Sequence, residues 1–158
     1  MITKLSHATL YVRDQSTAYD VYVNKLGFHV KTDMKMDNGF RWLTVAPPQQ
    51  PDLEIVLAEP NPPMFEPELG KHVRALLDAD AFGGGVWETD NAQETYEKLL
   101  AKGIEFTKPP TQEFYGIEAL FKDGCGNWFS LTQRPKGREK SPPRGGDFFH
   151  ETTINALE

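Results

Sequence analysis

The chain repeats itself at a fixed distance, and that repeat constrains its fold more than any other feature. Thirteen positions separate Asp14 from Gly27, and thirteen separate Asp90 from Gly103. Twenty-seven separate Gly27 from Glu54, and twenty-seven separate Gly103 from Ser130. A single offset of 76 therefore relates two stretches of a 158-residue chain. Such self-similarity marks one supersecondary unit used twice. By this offset Glu54 corresponds to Ser130 and His7 to Gly83.

The contents of each unit follow from its hydrophobic periods. In "LSHATLYV" (5–12), His7, Thr9 and Tyr11 alternate with Ala8, Leu10 and Val12, the pattern of a half-buried strand. Asp14 is placed to cap a helix, because its carboxylate can accept from free backbone N–H groups. Ala18, Val21, Tyr22 and Leu26 form the apolar stripe of that helix, which Gly27 closes. Strands are predicted at 28–36, 40–46 and 52–58, separated by Asp37-Asn38-Gly39 and Pro47-Pro48. The second unit repeats the order: a strand through "FGGGVWETD", a helix capped by Asp90 with Gln93 three residues on, and a close at Gly103. Strands are then predicted at 104–107, 116–122 and 127–133. Each unit reads β-α-β-β-β. Residues 4–58 are module one, 59–81 a Pro-rich connector ending in a short amphipathic helix, and 82–133 module two. Residues 134–158 are basic at first, Pro/Gly-rich and unpatterned, and read as a flexible tail.

Charge and cysteine content exclude several classes of function. The net charge is −6, and residues 134–158 contribute +1 of it, leaving −7 on residues 1–133. An acidic body is a poor match for a phosphate backbone, so no nucleic-acid partner is expected. No apolar run approaches the length of a membrane span, and the N-terminus lacks the basic-then-apolar order of a secretory signal. The single cysteine, Cys125, excludes an internal disulfide framework and a cysteine zinc cage. A reducing cytoplasm is the expected setting.

The segments "LSHATLYVRD", "YVNKLGF", "DLEIVL", "ETDNAQETYEKLLAKGIEF" and "DGCGNWFSL" together resemble the vicinal oxygen chelate superfamily. That superfamily includes glyoxalase I, extradiol dioxygenases and the bleomycin- and fosfomycin-resistance proteins. The resemblance covers roughly residues 4–133. It implies an α+β fold in which two tandem βαβββ modules form a cupped, barrel-like mixed sheet, and it implies a homodimer. It also implies a divalent metal, held by side chains from the first and last strands of both modules and acting as a Lewis acid on two substrate oxygens.

Carried over residue by residue, the family pattern is half kept. His7 matches the first-strand ligand of module one and Glu54 its last-strand carboxylate. In module two the first-strand position falls on Gly83 or Gly84, and the last on Ser130, whose neutral hydroxyl is a poor ligand for a divalent ion. A degenerate site on His7 and Glu54 is the candidate for Zn, Ni, Mn or Fe; the plain alternative is a cavity-wall histidine bonded to Glu54. Glu118, in "YGIEALF", is the candidate catalytic carboxylate, as ligand, general base or anchor for a cationic substrate. Trp128, Ser130 and Thr132 share one strand face and read as pocket wall, with Trp42 and Tyr115 as further substrate-binding candidates. The glycines of "FGGG" read as extra room for a bulky ligand. The expectation is a protein that binds a small organic molecule without a complete metal site. The alternative is a metal-dependent lyase, isomerase or dioxygenase built on His7 and Glu54.

Overall fold

In the computed structural model, which describes residues 1–136, the chain forms eight strands in two separate four-stranded sheets. Module one contributes β1 (His7–Tyr11), a helix α1 (Gln15–Tyr19) that runs on as a π-helical segment (Asp20–Lys25), β2 (His29–Lys35), β3 (Arg41–Ala46) and β4 (Glu54–Ala58). A connecting helix α2 (Pro67–Asp78) leads to module two: β5 (Phe82–Glu88), α3 (Ala92–Ala101), β6 (Glu105–Glu113), β7 (Gly116–Lys122) and β8 (Asn127–Gln133). The sheet orders are β1-β4-β3-β2 and β5-β8-β7-β6. In each, the first strand pairs parallel with the last, and the others pair antiparallel. This is the doubled βαβββ architecture expected from the repeat, with the sheets left open. From residue 137 on, the tail expected at 134–158 lies outside the described residues. Among the described residues no helix is long and apolar enough to cross a membrane.

The two modules share one core. Val12, Ala18, Val21, Tyr22, Leu43, Val45, Ile55 and Leu57 from module one pack with Leu99, Ile104, Ala119, Phe121, Phe129 and Leu131 from module two, all buried. Those contributed by β3, β4, β7 and β8 are alternate residues of their strands, so Glu54, Trp128 and Ser130 fall on the opposite, outer faces, as do His7 and Thr9 on β1. Burying so many large apolar groups between the modules makes each the other's main support.

A second, polar lock joins them. The fully buried Asp123, in the β7–β8 turn, accepts from the backbone N–H groups of Cys125 and Asn127 at 2.7 and 3.0 Å. Its other oxygen accepts from the Tyr22 phenol at 2.8 Å and the Asn127 amide at 2.9 Å. Four donors compensate the desolvation of this carboxylate. Arg13 clamps the same turn from module one, donating to the carbonyls of Leu77 and Gly124 and to Asp80.

Three local expectations are corrected. The helix after Asp14, whose side chain does accept from the N–H of Thr17, widens into π geometry at Asp20, with Leu26 N–H bonded to the carbonyl of Val21. This segment carries Tyr22 to Asp123. The second helix is capped by Asn91 rather than Asp90: the Asn91 side chain accepts from the N–H of Glu94. Finally, β6 runs to Glu113 through Pro109 and Pro110. The prolines are tolerated because β6 is an edge strand whose register shifts twice, between Phe106 and Lys108 and between Lys108 and Thr111.

Candidate functional site

The outer face of module one carries a small polar group. Parallel pairing sets His7 directly across from Glu54. Their side chains approach to 3.5 Å, Nε2 to Oε2, and His7 is also within hydrogen-bond distance of the Ser6 hydroxyl through Nδ1. The same Glu54 oxygen accepts from the hydroxyl of buried Thr44 at 2.7 Å. Trp42 stands beside His7 with ring centroids 6.2 Å apart, and Phe40 beyond it. Three residues singled out in the sequence, His7, Glu54 and Trp42, thus lie together on this face.

The outer face of module two carries a larger polar network. Ser130 donates to Glu118 at 2.8 Å and shares a hydrogen bond with the Thr132 hydroxyl, also 2.8 Å. Lys108 donates to Glu118 at 3.0 Å and pairs with Glu113 as well. Partial burial pushes the Glu118 carboxyl up, but the hydrogen bonds from Ser130 and Lys108, with a further pull from Tyr115, hold it below the usual range. Glu113 and Glu118 together push Lys108 up. Lys108 and Glu113 are the members of this network that hydrophobic patterning did not single out, because their strand pairing is irregular. Trp128 lies on the same face and is 44% exposed.

The strand registers change the internal correspondence. Tyr11 pairs with Ala58 three residues before the cap Asp14, and Glu88 pairs with Thr132 three residues before the cap Asn91. Counting back, Val86 pairs with Ser130, and beyond a bulge at Gly84 it is Gly83 that pairs with Trp128. The counterpart of the His7–Glu54 pair is therefore Gly83–Trp128, and Ser130 corresponds to Val56. The β7–β8 turn is the cause. Thr44 pairs with Val56, whereas Leu120, 76 residues on, pairs with Ser130, 74 residues on. This shift is even, so the β8 side chains keep their expected faces.

The glycine run is corrected too. A Cβ on Gly83 would lie 2.9 Å from Cζ2 of Trp128, so the protein's own indole occupies the room there. A Cβ on Gly84 would lie 2.1 Å from Cε1 of buried Phe129, so that glycine serves core packing.

These positions do not fit the implied metal. Module two presents glycine and tryptophan where ligands would stand, and neither donates to a divalent ion. Among the described residues no three His, Cys, Asp or Glu side chains converge. Nor does any hydrogen bond, ion pair or ring contact among the described residues join the His7 group to the Glu118 group. A separate groove of about 760 Å³, between Pro47–Gln49 and the start of α3, contains none of the expected site residues.

Fold, repeat and site thus define a doubled βαβββ protein with two outward polar and aromatic faces. The family model described as Glyoxalase/Bleomycin resistance protein/Dioxygenase superfamily matches residues 4–131, and the chain belongs to that superfamily. The crystal structure of UcmS2 superposes with a TM-score of 0.78 at 42% identity, covering 84% of this chain and 98% of that one. The crystal structure of TnmS3, an antibiotic binding protein from Streptomyces sp. CB03234, superposes with a TM-score of 0.67 at 28% identity, covering 85% and 98%. An uncharacterized protein of Bacillus subtilis (strain 168), YurT, is 31% identical over 83% of this chain and 99% of its own length.

Proposed function

We propose that this protein binds a small organic molecule on the outer faces of its sheets, without a complete metal site. The observation carrying this reading is the substitution of Gly83 and Trp128 for the pair that module one builds from His7 and Glu54. A tryptophan there trades charge for a broad apolar surface, which favours burial of a ligand over coordination of an ion. Trp42, Trp128 and Tyr115 form the aromatic walls. Ser130, Thr132 and Glu118 supply hydroxyl and carboxylate groups for orientation, and His7 with Glu54 supplies a second polar anchor. Glu118 acts here as an acceptor rather than a general base, because a depressed carboxyl is a weak proton acceptor near neutrality. The antibiotic-binding description of TnmS3 supports the same class of ligand.

The protein acts as a homodimer in this reading. Val86 and Phe114 stand 63% and 84% exposed on module two, and Met34 is exposed on module one. Side chains of this kind are commonly covered in an assembly. A second copy that sets its module two against module one of the first encloses one site from both groups. A free, buried Cys125 suits a cytoplasmic setting. Calorimetric titration against a panel of polycyclic aromatic antibiotics tests the proposal. Saturable binding that weakens about tenfold or more in Trp128→Ala is the expected result; silence across the panel would sink it.

A further inference from the structure

The three glycines of β5 have three different causes, and one of them points outward. Gly85 has φ +127, a conformation that strains any side chain. Gly84 is held against Phe129 in the core. Gly83 has neither constraint: its φ lies outside the left-handed region, and the atoms a Cβ would meet are Cζ2, Cε2 and Cη2 of Trp128, at 2.9, 3.2 and 3.5 Å. Those atoms belong to a side chain 44% exposed to solvent. Folding gains little from making room beneath an exposed indole. The room sets how the indole leans.

We propose that Gly83 determines ligand specificity by letting the Trp128 indole rest on β5 and turn its free π-face to the ligand, which selects a flat aromatic ring system. The inference rests on the small-molecule reading above and assigns its ligand class. An indole supported from behind loses little rotational freedom on stacking, so a planar partner gains the full contact. A methyl group at position 83 lifts the indole edge off the strand. Because the colliding atoms are the far end of a side chain with open space beyond, Gly83→Ala folds normally and changes only the platform.

The test uses two cationic probes, planar 9-aminoacridine and globular 1-aminoadamantane, titrated calorimetrically into the full chain. In Gly83→Ala, 9-aminoacridine is expected to bind about tenfold more weakly, the scale of one stacking contact, while 1-aminoadamantane shifts less than about twofold. Trp128→Leu, which keeps an apolar side chain but removes the π-face, is expected to abolish the preference for the planar probe. The Trp128 indole ¹⁵N–¹H resonance should move in Gly83→Ala, with the unfolding midpoint unchanged. Undiminished 9-aminoacridine binding in Gly83→Ala, or an unmoved indole resonance, overturns the role of Gly83 and leaves the small-molecule reading standing. Binding of neither probe by the unsubstituted protein overturns the flat-ring selectivity, and silence across the antibiotic panel as well overturns the small-molecule reading itself.

Discussion

Trp128 stands across from Gly83 on β8 and β5 as Glu54 stands across from His7 on β4 and β1. The position where the first module has a carboxylate is, in the second, an indole leaning on bare backbone. Ser130 lies two residues further along the same face, bonded to Glu118.

A carboxylate introduced at Ser130 therefore has no metal to meet. Ser130→Glu sets a second negative charge beside Glu118, in place of a buried hydroxyl that donates to it. The substitution should destabilise the fold by roughly 2–4 kcal/mol, from like-charge repulsion and desolvation. Denaturant unfolding measures the loss, and elemental analysis should find no gain of metal. Stoichiometric metal in Ser130→Glu would reinstate the simple 76-residue correspondence.

Tyr22 reaches across the modules to Asp123, so Tyr22→Phe removes one of four donors to a buried carboxylate. The expected cost is about 1–3 kcal/mol, because the ring still packs while the acceptor loses a charge-assisted bond. A neutral result in denaturant melts would mean that the apolar core alone couples the modules.

Cys125 is fully buried, and burial together with the Asp123 carboxylate pushes its thiol up to about 12. The nucleophilic thiolate is then scarce at pH 8. Native protein should react with a thiol reagent far more slowly than unfolded protein, with one thiol released on denaturation. Immediate labelling of the native state would contradict the packing of the β7–β8 turn.

The repeat in the sequence located both modules, the cap at Asp14 and the faces of β1, β4 and β8. It did so because apolar alternation and capping chemistry are local. What it missed was non-local. The two-residue shift of β8 depends on how tightly Asp123 gathers its turn, and counting from Gly103 to Ser130 passes over that turn unseen. Asp90 and Asn91 have equal capping chemistry, and only the position of β5 chooses between them. Pro109 and Pro110 read as a strand end until the sheet order makes β6 an edge. Within the site, the shared face of Trp128 and Ser130 was legible from alternation, while His7 and Glu54 were brought together only by the family resemblance. The lean of Trp128 over Gly83 needed the bulge at Gly84.

The Lys108–Glu118 pair imposes a pH dependence whose sign is set by both partners. Glu118 is lowered in the folded state, so its contribution is complete above the ordinary value of 4.5 and is lost as pH falls through the lowered one. Lys108 is raised, so its contribution holds below 10.5 and is lost as pH climbs through the raised value. The stability difference between the unsubstituted protein and Glu118→Gln should be full near pH 7 and shrink on acidification below 4.5. A gap that stays constant down to acid pH would show that the carboxylate charge contributes nothing.

The central claim, ligand binding without a metal, is tested most directly by one calorimetric comparison. A polycyclic aromatic ligand that binds is titrated into protein as purified and into protein stripped with a strong chelator. The account expects the same affinity in both, within about twofold. Binding that disappears on stripping, returns with a divalent ion and is lost in His7→Ala would contradict it, and would place a functional metal on the His7–Glu54 pair.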